Sequence, residues 1–198
     1  MAVHDVRRGR VATGDRVVVL GGGPIGTLIA SVAATFGAQV AVVEPDPNRR
    51  GLVEGLGFRA PDPVATDIAT WVEEWTGGAG ADVVFEVSGA AAAVTMSTAL
   101  AKVRGTVVVV AIHAQPREVN LQRVFWRELT VIGARVYERA DFETAVELVS
   151  TGAVPTTALI TRVVPLAEVQ AALDDLEGGR AMKILVDVQA GQTEEVSA

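Results

Sequence analysis

The chain contains a glycine cluster whose spacing suits phosphate binding. Gly21, Gly23 and Gly26 have the G-x-G-x-x-G spacing, and Pro24 and Ile25 lie between the last two glycines. In such a turn the first glycine permits a tight bend, the second lets a pyrophosphate approach the backbone, and the third lets a helix pack on a strand. The N–H groups and the positive dipole end of that helix would face the phosphates. The cluster therefore predicts that a dinucleotide binds through main-chain atoms.

A carboxylate follows the next apolar run, where a ribose-binding residue is expected. Glu44 directly follows residues 39–43, close to the distance of about 20 residues at which an acid accepts hydrogen bonds from the adenosine ribose. A carboxylate there would repel the additional phosphate of NADP and so favours NAD. The alternative is a glycine turn that only packs a helix on a sheet, with Glu44 a solvated charge. Because strand, spacing, helix and acid agree, the sequence predicts NAD binding.

These residues require a strand before the glycine cluster and a helix after it. Residues 16–20 have the length and β-branched composition of a buried parallel strand, and residues 27–36 are apolar on nearly every side, as in a helix against a sheet. Further predicted strands alternate with helical segments and lie at 39–43, 58–63, 82–87, 105–112 and 129–134. This alternation predicts an α/β fold, a doubly wound parallel Rossmann sheet in the order 3-2-1-4-5-6, with a C-terminal α/β tail.

The chain is predicted to have three parts. Residues 1–136 form the NAD-binding domain with a helical lead-in, residues 137–188 form a helix and strand segment, and residues 189–198 are polar and predicted to be disordered. In the second part, Asp141 is expected to cap a helix. The tryptophans are expected to pack in the core or between helices; they are Trp71, Trp75 and Trp126.

Composition excludes several function classes. The net charge of −7 and the absence of a basic cluster argue against nucleic-acid binding. No apolar stretch is long enough for a membrane span and the first residues do not resemble a signal peptide, so we expect a cytoplasmic protein without a membrane partner. The chain has no cysteine and only two histidines, His4 and His113. It therefore has no disulfide, no thiolate nucleophile and no cysteine ligand for zinc, and we predict no metal site.

The order of segments resembles the medium-chain dehydrogenase/reductase family, in particular its zinc-type alcohol, polyol and butanediol dehydrogenases. The resemblance is carried by the stretches 14–17, 21–26, 82–89, 125–133 and 179–184. It extends from about Val3 to Val188, which is nearly the whole chain. Several motifs in the same order make it more specific than the glycine spacing alone.

The resemblance also identifies which part of such an enzyme this chain matches. Family members carry an N-terminal catalytic domain whose zinc is held by a cysteine, a histidine followed by a glutamate, and a further acidic or cysteine ligand. This chain has neither a cysteine nor a His-Glu pair, so it resembles the cofactor-binding half only. The implied activity is hydride transfer between a nicotinamide and an alcohol or ketone. Zinc is expected only in the intact enzyme, where the segment 155–188 completes the catalytic domain, and this chain alone is expected to be inactive.

By position, the resemblance implies further cofactor contacts and no catalytic residue. These positions are Arg49, Ser88, Ile112, His113, Ala134 and Lys183. Arg49 would lie along the adenosine, or would be a solvated charge at a helix start. Ser88 would border the crevice or act as a helix N-cap, which we favour. Ile112 and His113 would line the nicotinamide pocket, with His113 a loop residue rather than an acid or base. Ala134 would lie near the carboxamide and Lys183 near the pyrophosphate.

Two other functions fit the same residues. One is a stand-alone NAD(H)-binding or redox-sensing module. The other is a zinc-independent reductase of the same superfamily, whose proton donor would be Ser88, His113 or Tyr137. A missing catalytic domain is the expected partner, and the edge of the strand at 129–134 would allow a homodimer.

Overall fold

A parallel sheet forms the centre of the larger part of the molecule. The structure, a computed structural model, describes residues 1–190. Five strands of the first unit pair in the order β2-β1-β3-β4-β5. They are β1 (Arg16–Leu20), β2 (Gln39–Val43), β3 (Ala81–Glu86), β4 (Ala101–Val109) and β5 (Thr130–Gly133). All four pairings between neighbouring strands are parallel.

The predicted third strand is present only as a single bridge. In residues 58–63, Arg59 forms an isolated parallel bridge to Ala41 of β2. Pro61 and Pro63 follow it and lack the N–H groups that a longer ladder needs. The order 3-2-1-4-5-6 is therefore confirmed, with its third member reduced to one residue pair beyond β2.

Helices connect the strands and cover both faces of the sheet. They are α1 (Ala2–Arg8), α2 (Pro24–Thr35), α3 (Pro47–Gly55), α4 (Ile68–Trp75), α5 (Ala91–Leu100), α6 (Leu121–Trp126) and α7 (Arg139–Ser150). Strand alternation directs Val17 and Val19 of β1 into one apolar cluster and Val18 and Leu20 into the other. Burial of each such side chain stabilises the fold by about 1.5–3 kcal/mol. The two clusters fix the sheet between its helices and leave its carboxyl edge free to form a site.

The start of α7 differs from the prediction. Its N-cap is Glu138, and Asp141 lies three residues further on, where its carboxylate accepts the Glu138 N–H as part of a capping box. Asp141 also accepts hydrogen bonds from His4 and Arg7 of α1, both at 2.8 Å. The predicted helix is therefore present, but it begins earlier: Glu138 is the N-cap, and Asp141 caps the helix from the third helical position.

The chain separates into two compact units, and the second begins at Pro155. This boundary lies later than the predicted one after residue 136 because α7 packs on α1 of the first unit. The second unit contains a parallel pair of strands and a helix; they are β6 (Ile160–Pro165), α8 (Val169–Glu177) and β7 (Lys183–Asp187). Of the predicted disordered tail, residues 191–198 lie outside the described residues. Within residues 1–190, none of the helices has the length and apolar character needed to cross a bilayer.

Candidate functional site

The glycine cluster forms the turn between β1 and α2. Gly21 has a φ of +115°, in the range that favours glycine, and its N–H donates to the Val43 carbonyl of β2 at 2.9 Å. A Cβ at Gly26 would lie 1.8 Å from the Gly21 carbonyl oxygen, so only glycine fits there. A Cβ at Gly23 would meet no atom within 4 Å. The turn is thus closed on the strand side and open at Gly23.

The open side of this turn suits a phosphate group. Gly23 is the N-cap of α2 and Pro24 its first residue. The N–H groups of Ile25 and Gly26 belong to the first helical turn, which has no preceding carbonyl to pair with. These N–H groups and the positive end of the helix dipole favour an anion at the open face. The cradle therefore fits the pyrophosphate of a dinucleotide.

Glu44 is held rigidly beside this turn. Its side chain is only 4% exposed. One carboxylate oxygen accepts the Gly22 N–H at 2.7 Å, and the other accepts the Asp46 N–H at 2.9 Å. The alternative of a solvated charge at the end of β2 is therefore wrong. Because each carboxylate oxygen accepts more than one hydrogen bond, Glu44 retains capacity for ribose hydroxyls.

A cavity of about 440 Å³ connects these residues at the carboxyl edge of the sheet. Eight of the predicted cofactor residues line it: Gly21, Gly23, Pro24, Ile25, Gly26, Glu44, Arg49 and Ser88. Residues that the sequence analysis did not select complete the lining, including Val43, Pro45, Pro63 and Met96. Pro63 and Met96 lie far from the glycine turn in sequence, so no local pattern could have linked them to it. Their apolar surfaces suit the faces of a nucleoside.

The other four predicted residues lie outside this cavity. Ile112 is 97% exposed and Ala134 is buried, with its N–H donating to the Val109 carbonyl at 3.0 Å. The predicted strand 105–112 ends at Val109 as β4, so Ile112 and His113 belong to a loop. His113 lines a second cavity of about 450 Å³ together with Arg117. Lys183 is the first residue of β7 in the second unit.

The end of β3 carries a buried carboxylate that the sequence analysis did not select. Glu86 is 1% exposed, and its Oε1 accepts the Ser88 hydroxyl at 3.0 Å and the Gly89 N–H at 2.8 Å. Its Oε2 lies 3.2 Å from His113 Nε2, at ion-pair distance but without hydrogen-bond alignment. The N-cap of α5 is Ala90, so the preferred N-cap assignment of Ser88 was wrong. A carboxylate at the end of an apolar run is the signal that could have identified Glu86.

The remaining groups that could do chemistry are metal ligands and the proton donors of a zinc-independent reductase. Within residues 1–190, no three histidine, cysteine, aspartate or glutamate side chains come together as a metal site. Zinc therefore does not fit the described residues. Tyr137, a donor considered for a zinc-independent reductase, stacks on Phe142 with ring centroids 6.0 Å apart and lines neither cavity. Ser88 and His113, the other donors considered, both contact Glu86.

Comparison with known proteins identifies a consistent group of relatives. A sequence model of the zinc-binding dehydrogenases matches residues 24–151. The chain is 46% identical over 193 residues to 2-dehydro-3-deoxy-L-galactonate 5-dehydrogenase of Pseudoalteromonas atlantica, an alignment that covers 97% of this chain and 57% of the relative. It is 34% identical over 187 residues to sorbitol dehydrogenase of Halalkalibacterium halodurans, covering 92% of this chain and 54% of that protein.

Solved structures agree with the sequence relatives. The 2R,3R-butanediol dehydrogenase of Bacillus subtilis superimposes with a TM-score of 0.87 at 29% identity, covering 93% of this chain and 54% of that one. A zinc-binding dehydrogenase of Sinorhizobium meliloti 1021, solved with NADP bound, gives a TM-score of 0.82 at 32% identity, covering 93% and 56%. The chain thus spans about half the length of the relatives it matches.

Proposed function

The chain belongs to the zinc-binding dehydrogenase family, as the resemblance predicted, and we propose that it binds NAD(H) for hydride transfer between the nicotinamide and an alcohol or ketone. The observation that carries the proposal is the meeting of the glycine turn, Glu44 and Arg49 in one cavity at the carboxyl edge of the sheet. A nicotinamide cofactor, when bound, supplies the hydride chemistry. The residues of this chain bind and orient it.

Different residues of the site bind different parts of the dinucleotide. The N–H groups at the start of α2 hold the pyrophosphate over Gly23, and Glu44 accepts hydrogen bonds from the adenosine ribose. Arg50 holds the loop after β2 in place: its guanidinium donates to the Glu44 and Pro45 carbonyls and lies 3.1 Å from Asp62. Because this loop and the glycine turn are fixed before binding, little conformational entropy is lost when the cofactor binds.

We propose NAD rather than NADP as the cofactor. Glu44 is buried and lines the cavity. If it accepts hydrogen bonds from the adenosine ribose, as proposed above, the 2′-phosphate of NADP would meet a carboxylate at short range in a partly desolvated site. The NADP bound in the Sinorhizobium meliloti structure is the ligand of that protein and does not determine the cofactor of this chain. In this chain the buried carboxylate supports NAD.

The substrate and the catalytic metal belong to the proposal for the whole enzyme. The relatives named above include a sugar-acid dehydrogenase and a sorbitol dehydrogenase. We propose a polyol, or a sugar acid with a secondary alcohol or ketone, as the substrate class. The zinc expected of the intact enzyme would require ligands from a catalytic domain, which is the proposed partner of this chain. In isolation the chain is expected to bind NAD(H) without turnover.

Titration calorimetry with NADH and NADPH tests this function. We expect saturable NADH binding and NADPH binding weaker by at least about tenfold, which corresponds to about 1.4 kcal/mol. Glu44→Gln removes the charge that opposes the 2′-phosphate and should reduce this preference. Glu54→Gln, an exposed residue of α3 that does not line the cavity, should leave it unchanged.

The same titration distinguishes the other outcomes. If the unchanged chain binds neither nucleotide, the proposed function is wrong. Equal affinity for NADH and NADPH would reject only the assignment of NAD. A redox-sensing module would use the same cavity, but it would need clearly different affinities for NAD⁺ and NADH, so a titration with NAD⁺ separates the two functions.

A further inference from the structure

Glu86 joins three segments at the carboxyl edge of the sheet. Its carboxylate accepts from Ser88 and Gly89 in the turn after β3 and approaches His113 in the loop after β4. Its backbone carbonyl accepts the Val110 N–H at 2.9 Å and the Ala111 N–H at 3.1 Å, directly after β4. A single residue therefore sets the positions of the two loops that follow β3 and β4.

We infer that Glu86 is a positioning residue for the nicotinamide half of the cofactor, an inference that rests on the proposed function. In the order β2-β1-β3-β4-β5, Glu44 lies at the end of β2 and the glycine turn at the end of β1. A dinucleotide that begins at β2 and crosses β1 places its second nucleoside over the ends of β3 and β4. Those are the two loops that Glu86 holds.

The two turns are close enough to serve one ligand. A Cβ at Gly21 would lie 3.1 Å from Ser88 Cβ, so the glycine turn and the turn after β3 are in direct contact. Gly89, with a φ of +72°, would place a Cβ 3.6 Å from Ala111 Cβ, so the turn after β3 also packs on the chain after β4. A shift at Glu86 would therefore reach Ser88 and the His113 loop.

Glu86 acts through other residues because it does not line either cavity. Burial of a carboxylate is unfavourable unless hydrogen-bond donors surround it. Oε1 has two donors, whereas His113 is the group at ion-pair distance from the buried Oε2. Loss of the charge would therefore weaken the attachment of the His113 loop first.

Comparing two ligands separates positioning from general stabilisation. ADP-ribose contains the adenosine and pyrophosphate but no nicotinamide, so it reports the β2 and β1 end of the site. For Glu86→Gln and His113→Asn we expect the Kd for NADH to rise at least about tenfold and the Kd for ADP-ribose to change less than about twofold. Glu147→Gln, an exposed residue of α7, is the matched control and should bind both ligands like the unchanged chain.

Thermal unfolding is measured on each variant. Because His113 lies on a loop, we expect His113→Asn to fold. This variant therefore still tests the inference if Glu86→Gln fails to fold. A parallel loss of both ligands, or no loss of either, would overturn the inference and leave the proposed function intact. Failure of the unchanged chain to bind either ligand would instead remove the proposed function, and the inference with it.

Discussion

Two glycines of the same turn differ in what a side chain would contact. A Cβ at Gly26 would collide with the Gly21 carbonyl at 1.8 Å, which is backbone that cannot yield without moving β1 or α2. A Cβ at Gly23 would enter open space, and the Gly23 φ of −67° is allowed for alanine. The fold therefore requires the glycine at position 26, whereas Gly23 borders the open space in which we propose that the pyrophosphate lies.

The alanine variants at these two positions should separate folding from binding. For Gly26→Ala we expect a lower melting temperature and loss of NADH binding, because the turn must deform. For Gly23→Ala we expect a melting temperature close to that of the unchanged chain but NADH binding weaker by about tenfold, because the methyl group fills the anion position. Calorimetry and thermal unfolding measure both. A Gly23→Ala variant that binds NADH normally would place the phosphates elsewhere.

The residues of the site could be predicted where they are close in sequence. The glycine spacing and the distance to Glu44 are local signals, and both led to residues that line the cavity. The opposite wall could not be predicted in the same way, because Met96 reaches the cavity only through the packing of α5 on β3 and β4. The predicted strand extended to Ile112 because the apolar run at 105–112 continues past Val109, where β4 ends.

At the level of elements, apolar runs located the strands but not every helix. α6 is short and was not predicted; Asn120 caps it by accepting the Arg123 N–H at 3.0 Å. Trp71 and Trp75 of α4 pack against an apolar cluster as expected, whereas Trp126 is 72% exposed and its predicted packing role was wrong. The sequence does not show which face of a helix the sheet will cover, so the burial of a tryptophan cannot be predicted from its residue type alone.

The contact between α1 and α7 contains two carboxylates with opposite pKa shifts. Burial raises the pKa of Asp5 from 3.8 to about 6, and neither of its oxygens has a hydrogen-bond partner among the described residues. Burial also acts to raise the pKa of Asp141, but hydrogen bonds from the Glu138 N–H, His4 and Arg7 together lower it. Asp5 therefore favours its protonated form in the folded state, and Asp141 its ionised form.

The stability of the fold should consequently fall as the pH rises between about 4 and about 6. In this range the folded state binds the Asp5 proton more tightly than the unfolded state does, so the free energy of unfolding decreases towards neutral pH, by at most about 3 kcal/mol. Asp5→Asn removes this term and should raise the free energy of unfolding at pH 7 while flattening its pH dependence. Urea unfolding between pH 4 and pH 8 measures both.

A matched variant tests whether the effect belongs to Asp5. Asp174 is an exposed residue of α8, and Asp174→Asn should leave the pH dependence unchanged. If the curves of Asp5→Asn and the unchanged chain run parallel from pH 4 to pH 8, Asp5 does not have the raised pKa. Asp141 contributes with the opposite sign: its stabilisation is present above its unfolded pKa and is lost as the pH falls through its lowered folded pKa.

At the scale of the whole molecule, the sheet has an open edge at β5. Among the described residues β5 pairs with β4 alone, and α6 beside it exposes Phe125 and Trp126, whose rings meet edge to face with centroids 5.2 Å apart. Large exposed apolar side chains next to an unpaired strand favour association. We propose that the partner is a second copy of this chain, because two β5 edges can pair antiparallel across a two-fold axis.

A charge placed on this edge should prevent the association. The Ala134 N–H donates towards β4, so the two-residue period of the strand turns the N–H of Val131 away from β4, to the free edge. Val131 is 42% exposed, and Val131→Lys should give a monomer in sedimentation equilibrium at concentrations where the unchanged chain is a dimer. Val103→Lys, at a 58% exposed residue of β4 that precedes the stretch paired with β5, adds the same charge and should remain dimeric. If the copies pair through β5, the two introduced lysines bring like charges together across the paired edges. A Val131→Lys variant that still dimerises would therefore show that the copies meet through another surface.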